Sequence, residues 1–206
     1  MEFHIVSDGT FKADAATMFA RFPRANWDGT IQVDRQHRTS FSLNCLLIIL
    51  ETRGGETERI LVNTGIGQDL RGSENIQETY SPTPSRLVKS LRELGLVPRD
   101  IHFVVLTDFG FLQAGGCTRM DRAGNLAPTF PRASYIVQEE ALREALSPQH
   151  TQSDFHEYFS SAASSLMERG QLILLKESWE VLPGIRLIRA PGPSRGHQIV
   201  VIEHGA

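Results

Sequence analysis

The chain is expected to be an α/β protein of layered sheets and helices, and three observations predict it. Short runs rich in Val, Ile and Leu, bounded by Gly, Pro, Asn or Asp, recur from end to end. Between them lie segments whose apolar residues fall at i, i+3, i+4 and i+7. One run, His102 to Leu106, shows no apolar–polar alternation, which suits a strand buried on both faces.

Taken in order, Phe3 to Val6 is the first expected strand. Ser42 to Glu51 and Arg59 to Asn63 flank a Gly-rich turn, Arg53 to Thr57, and read as a hairpin. Gly67 to Ser81 is polar and is expected to be a mobile loop. Pro84 to Leu94 places Leu87, Val88, Leu91 and Leu94 on one helical stripe. Thr83 is the expected N-cap, Pro84 the first position and Gly95 the stop. The strand at His102 to Leu106 follows, then Ser134 to Val137. Gln138 to Leu146 is a helix ended by Ser147-Pro148, and His156 to Glu168 is a helix stopped by Gly170. Gln171 to Leu175, Ile185 to Ile188 and Ile199 to Glu203 complete the strands. No repeat or linker divides residues 1–206, so one domain is expected.

Composition narrows the function classes. A net charge of −3 supplies no basic field for nucleic acid or an anionic membrane. The longest apolar runs, such as Cys45 to Leu50, fall far short of the roughly 20 residues that span a bilayer. The N-terminus lacks the basic start and apolar run of a signal peptide, so the expected location is cytoplasmic. Two cysteines, Cys45 and Cys117, are expected to be reduced structural thiols.

The most informative stretch is Val104 to Gly116. An apolar strand runs into Thr107-Asp108-Phe109-Gly110-Phe111-Leu112-Gln113 and then Ala-Gly-Gly. Three other segments stand in order around it. They are Met18 to Trp27, Ile60-Leu-Val-Asn-Thr-Gly-Ile-Gly67, and Ala190-Pro-Gly-Pro-Ser-Arg-Gly-His-Gln198. Together the four resemble the metallo-β-lactamase superfamily, in particular its branch of acyl-homoserine lactonases and related lactone and ester hydrolases. The resemblance covers nearly the whole chain and implies an αββα sandwich.

It also implies a chemistry: two closely spaced divalent ions, usually zinc, activating a hydroxide and polarising a carbonyl. Here the family's Thr-His-x-His-x-Asp-His signature has Asp108, Gly110, Leu112 and Gln113 at its ligand positions. The Asp of the Asp-Thr-Gly motif is Asn63. The metal-binding His of the Pro-Gly-His-Thr-x-Gly-His loop is Pro193, and His197 matches the other His, which is usually not a ligand. Asp108 alone could bind a metal through oxygen. The family's zinc or other divalent metal is therefore expected to be lost, and no other cofactor is expected. Removing carboxylates and imidazoles together with the metal also removes buried charge, so the substitutions agree with a settled metal-free state. After Ile199 to Glu203 the relatives continue with further strands and helices that carry a bridging Asp and a late His. A sandwich incomplete on its C-terminal side is expected, covered by a second copy or a partner subunit.

Three readings of function follow. In the first the chain is a metal-free, catalytically inactive protein that binds a small apolar or acyl-type ligand or regulates a partner. In the second it is an assembly component. In the third it is a lactone or ester hydrolase with relocated chemistry, for which Asp108, His197 and Cys117 are the candidates. Each candidate has a plainer role: a turn aspartate, a histidine bonded within its loop, and a core thiol. Phe109, Phe111 and Leu112 read as core or pocket lining. His150 and His156 lack the i, i+4 spacing of a helical metal pair and, like His204, read as surface residues.

Overall fold

The computed structural model describes residues 1–19, 22–27, 29–52, 54–147 and 153–203. The chain opens with the long strand β1 (Glu2–Asp14), a helical turn α1 (Ala15–Met18), and the hairpin of β2 (Arg38–Glu51) and β3 (Thr57–Val62). Helices α2 (Gln68–Arg71), α3 (Glu74–Tyr80) and α4 (Leu87–Glu93) lead to β4 (Phe103–Val105) and the short α5 (Phe111–Ala114). A small hairpin, β5 (Thr118–Met120) with β6 (Leu126–Pro128), precedes β7 (Ser134–Gln138), α6 (Glu139–Ala145) and α7 (Ser153–Glu168). The last strands are β8 (Leu172–Leu175), β9 (Trp179–Leu182), β10 (Ile185–Arg189) and β11 (Gln198–Ile202).

Six strands form the main sheet in the order β1-β2-β3-β4-β7-β8. The first three are antiparallel, while β3, β4, β7 and β8 run parallel. Strand β4 shows why its sequence does not alternate. Val104 faces a cluster built with Leu87 and Leu91 of α4 and Phe159, Ala162 and Leu166 of α7. Its neighbour Val105 faces the opposite cluster, with Ile60, Ile136, Ile185 and Leu187. Both valines are fully buried, so both faces of the strand must be apolar.

The second cluster joins the main sheet to the smaller antiparallel sheet β11-β10-β9. Two sheets therefore pack back to back, with α4, α6 and α7 on the far face of the larger one. Among the described residues three of the four layers of the expected sandwich are present. On the smaller sheet Ile185 pairs with Ile202 and Leu187 with Val200, which sets one face toward the core. Ile188, Ile199 and Val201 lie on the other face, and Ile199 is 44% exposed. Among the described residues no helix is long and apolar enough to cross a membrane.

Several expectations need correction. The first strand runs well past Val6, because Ser7 to Thr10 forms a bulge rather than a turn. Gly9 makes it possible at a φ of +98°. Gly67 to Ser81 is not an irregular loop, since it holds α2 and α3 and anchors them through buried Leu70 and Ile76. Helix α4 starts at Leu87, and Thr83 does not cap it: the Thr83 hydroxyl accepts from the Thr10 amide at 2.8 Å. The cap comes from far away instead. Asp8 Oδ1 accepts from the Arg86 and Leu87 amides, both at 3.3 Å, and from the Ser85 hydroxyl at 2.6 Å. Strand β9 and the hairpin β5–β6 were not foreseen. Arg53, Pro148, His150 and His204 lie outside the described residues.

Candidate functional site

Strands β3 and β4 are parallel neighbours, so the loops leaving them rise side by side at one edge of the sandwich. Asn63 follows β3 and donates its amide to the Val105 carbonyl at 2.8 Å. Its φ is +66°, a conformation that Asn and Asp enter more readily than other side-chain-bearing residues. From there Asn63 Oδ1 accepts two hydrogen bonds from Thr107, at 2.9 Å from the amide and 3.0 Å from the hydroxyl. The amide oxygen fixes the turn after β4 without bringing a charge.

Asp108 follows in that turn. Its Oδ1 accepts from the Phe109 amide at 2.8 Å and from the Ser194 hydroxyl at 2.9 Å. The second bond spans the cleft, because Ser194 belongs to the loop between β10 and β11. Burial raises the Asp108 carboxyl above its ordinary value. The bonds from Ser194 and Phe109 and the proximity of His197 pull it back down, and Glu144 pushes it up.

The Ser194 loop is held on helix α6 from several points. Arg189 pairs with Glu140, and the Arg195 amide donates to Glu144 at 2.9 Å. Gly196 lies so close to the helix that a Cβ there would stand 2.0 Å from the Ala141 nitrogen. Beneath the loop, the buried Gln198 donates to the Leu106 carbonyl at 2.8 Å and accepts from Gln138 at 2.9 Å. These bonds tie the end of β11 to β4 and β7.

The remaining positions point to several places rather than one. Gly110 precedes α5, and Gln113 Oε1 stands 3.1 Å from where its Cβ would be. Leu112 packs against the main core. The Gln113 carbonyl accepts from the Thr64 amide and hydroxyl at 2.7 and 2.9 Å. Pro193 is exposed. His197 bonds within its own loop, Nδ1 lying 3.1 Å from the Ala190 carbonyl. Cys117 is fully buried, and burial pushes its thiol up to about 12, so it stays protonated at neutral pH. Cys45 is likewise buried and raised, and both cysteines are free. His156 is engaged with the Leu146 carbonyl at 2.9 Å.

Asp108, Ser194 and Glu144 share a cavity of about 360 Å³ with Phe109, Phe111, Phe155 and Phe159. Ser194, Glu144, Phe155 and Phe159 were missed in the sequence. Ser194 stood inside a recognised motif, one residue from the position that drew notice. The other three sit on helices whose approach to the strand ends is a matter of tertiary packing.

The metal that the fold family implies does not fit this donor set. Among the described residues no group of three or more His, Cys, Asp or Glu could hold an ion. Asp108 is the one charged side chain at the six positions Asn63, Asp108, Gly110, Leu112, Gln113 and Pro193, and it is already bonded to Ser194.

No family model matches the chain. An N-acyl homoserine lactonase from Bacillus cereus is 27% identical over an alignment of 167 residues that covers 75% of this chain and 56% of that protein. The chain thus spans little more than half the length of this relative. A probable metal-dependent hydrolase from Staphylococcus aureus superposes with a TM-score of 0.81 at 24% identity, over 99% of this chain and 69% of that one. An N-acyl homoserine lactone hydrolase, solved with N-hexanoyl-L-homoserine at its catalytic metal centre, superposes with a TM-score of 0.64 at 21% identity. That match covers 98% of this chain and 70% of that one. Likenesses of this extent are likenesses of fold, and the chain has the fold of these metallo-β-lactamase-type hydrolases.

Proposed function

We propose that this chain is a metal-independent, catalytically inactive member of the superfamily whose cleft binds a small apolar or acyl-type ligand. The observation that carries the reading is the Ser194–Asp108 hydrogen bond. Two loops that the family resemblance assigns to opposite sides of a metal centre are here joined directly. A neutral hydroxyl bonds the one carboxylate at the family's ligand positions, and Asn63 does its structural work without charge. The joining of the two loops needs no metal ion.

The relationship to lactonases keeps one alternative in view, a lactone or ester hydrolase with an atypical site. A water nucleophile would then need a base. Asp108, His197 and Glu144 are the available groups, and each is already engaged locally. One experiment separates the readings: elemental analysis of the purified full chain, with turnover of a lactone and ester panel measured in excess chelator. The metal-free reading expects no stoichiometric metal, no turnover and no change of melting temperature with chelator. Stoichiometric zinc, iron or manganese would sink it. Turnover that survives chelator and disappears in Asp108→Asn would establish the alternative.

A further inference from the structure

We infer that the cleft takes an amphiphilic organic cation, an ammonium head on a short apolar or aromatic body. This inference rests on the reading of the cleft as a ligand-binding one. Its basis is the lining of the cavity between the β4–α5 turn, α6 and α7. Four phenylalanines supply apolar walls. Phe111 stacks on Phe155 with centroids 5.3 Å apart and planes at 13°, and Phe109 meets Phe159 at 5.4 Å and 57°. Phe109, Phe155 and Phe159 are nearly fully buried, so these walls are fixed by the core. The volume, about 360 Å³, is at the small end of the range for small-molecule sites.

Two carboxylates from unrelated elements share this cavity, Asp108 from the turn and Glu144 from α6. Each has one oxygen engaged: Asp108 Oδ1 with Ser194 and Phe109, and Glu144 Oε2 with the Arg195 amide. Among the described residues these bonds fall on the named oxygens and not on Asp108 Oδ2 or Glu144 Oε1; the cavity's own lining includes no Lys, Arg or His, although His197 lies near Asp108, and Arg143 and Arg195 line a neighbouring pocket with Glu144. Carboxylate oxygens beside aromatic walls make the partly buried cavity more favourable for a cationic head than for a neutral or anionic one. An ammonium group bonds carboxylate oxygens and is also attracted by aromatic faces.

Among the small apolar and acyl-type ligands of that reading, the same lining favours those that carry an ammonium head. A carboxylate would meet two like charges. A lactone or amide carbonyl would need a donor, and the Ser194 hydroxyl already donates to Asp108. The cavity therefore distinguishes ligands by the charge of their heads more than by their apolar bodies.

The test is a ligand-observed NMR titration of the full chain with three probes that share one tail: hexylammonium, hexanol and hexanoate. Hexylammonium should bind about tenfold more tightly than hexanol, and hexanoate should bind more weakly than either. Asp108→Asn and Glu144→Gln each keep an acceptor for the existing hydrogen bonds, and each should bring hexylammonium toward the hexanol level. Ala145→Trp should abolish binding by filling the cavity. Equal binding of hexanol, preference for hexanoate, or hexylammonium binding that survives Ala145→Trp overturns the cation inference while leaving a metal-free binding cleft intact. Failure of all three probes overturns the inference and the ligand-binding reading together. Stoichiometric metal in the same preparation overturns the metal-free reading independently of the order of the probes.

Discussion

The Ser194 hydroxyl donates to Asp108 Oδ1 at 2.9 Å, closing a contact between residues 86 positions apart in sequence. It is the direct side-chain bond between the loop after β10 and the turn after β4. Ser194→Ala removes one of the two described donors to a partly buried carboxylate and should cost about 1 kcal/mol of stability. Urea unfolding of the two proteins measures it. Ser194→Thr keeps the hydroxyl and should recover most of the loss, whereas an unchanged midpoint for the alanine variant would show that the bond is not maintained in solution.

The same carboxylate sets a pH dependence. Burial, the largest influence, holds the Asp108 carboxyl above its ordinary 3.8 in the folded chain. The folded state then binds the proton more tightly than the unfolded state, and the ionised form is the one that costs stability. Below 3.8 both states are protonated and the cost is absent; it develops as pH rises through the raised folded value. Asp108→Asn does not titrate and keeps an oxygen acceptor. Its stability should therefore gain on that of the parent as pH rises from the acid range, and the gap should level off toward neutrality. Unfolding midpoints for both proteins across that range give the difference directly, and a gap that widens on acidification would contradict it.

How much of this was readable in the sequence depends on how local the cause is. The central strand was legible at Phe103 to Val105, because burial on both faces leaves no room for polar residues. The α4 stripe was legible for a similar reason, as Leu87 and Leu91 are both buried. The start of α4 was not, because its cap is a carboxylate from β1. Asp8 is fully buried and reaches three segments. At the site, Asn63, Asp108 and Gly110 could be located by motif. What the cleft became could not, since the aromatic walls and Glu144 arrive from α6 and α7. Motif spacing reports the frame, whereas the lining is set by which helix faces pack over it.

Asp8 and Arg71 form a buried ion pair that is costly to disturb. Both side chains are buried, and Arg71 Nη1 donates to Asp8 Oδ2 at 2.8 Å. The same oxygen accepts from the Ile66 and Gly67 amides at 3.0 and 3.3 Å. Arg71→Met would leave Asp8 as a buried anion without its counter-charge, at a cost of about 3–5 kcal/mol. Asp8→Asn combined with Arg71→Met should cost less than the sum of the two single changes, because the second removal relieves the charge stranded by the first. Strict additivity in a double-mutant cycle would rule out coupling between the two.

The cysteines should be chemically silent. Burial holds the Cys117 thiol near 12 and raises Cys45 as well, so neither forms thiolate at neutral pH. Reaction with a thiol-specific disulfide reagent should be negligible in the native protein and stoichiometric in denaturant, two thiols per chain. Rapid native labelling of either residue would mean that its surroundings open readily. It would also restore Cys117 as a candidate nucleophile.

The glycines of the 190–198 loop separate packing from flexibility. Gly196 sits against α6 so closely that a Cβ would lie 2.0 Å from the Ala141 nitrogen and 2.6 Å from its Cα. These are backbone atoms, and moving aside would displace the helix that carries Glu140 and Glu144. Gly196→Ala should therefore lift the loop, break the Arg195–Glu144 bond and remove Ser194 from Asp108. Gly192 is the matched control, since the nearest atom to a Cβ there is the Ala190 carbonyl at 3.9 Å. Gly192→Ala should be close to neutral, while Gly196→Ala should lose several kcal/mol, about the range for overpacking at a rigid contact. Thermal melts rank the two, and amide exchange at Arg195 reports whether the loop has detached. If both variants melt together with Arg195 still protected, the loop adapts to the added methyl and is not clamped to α6 as tightly as the backbone contact implies.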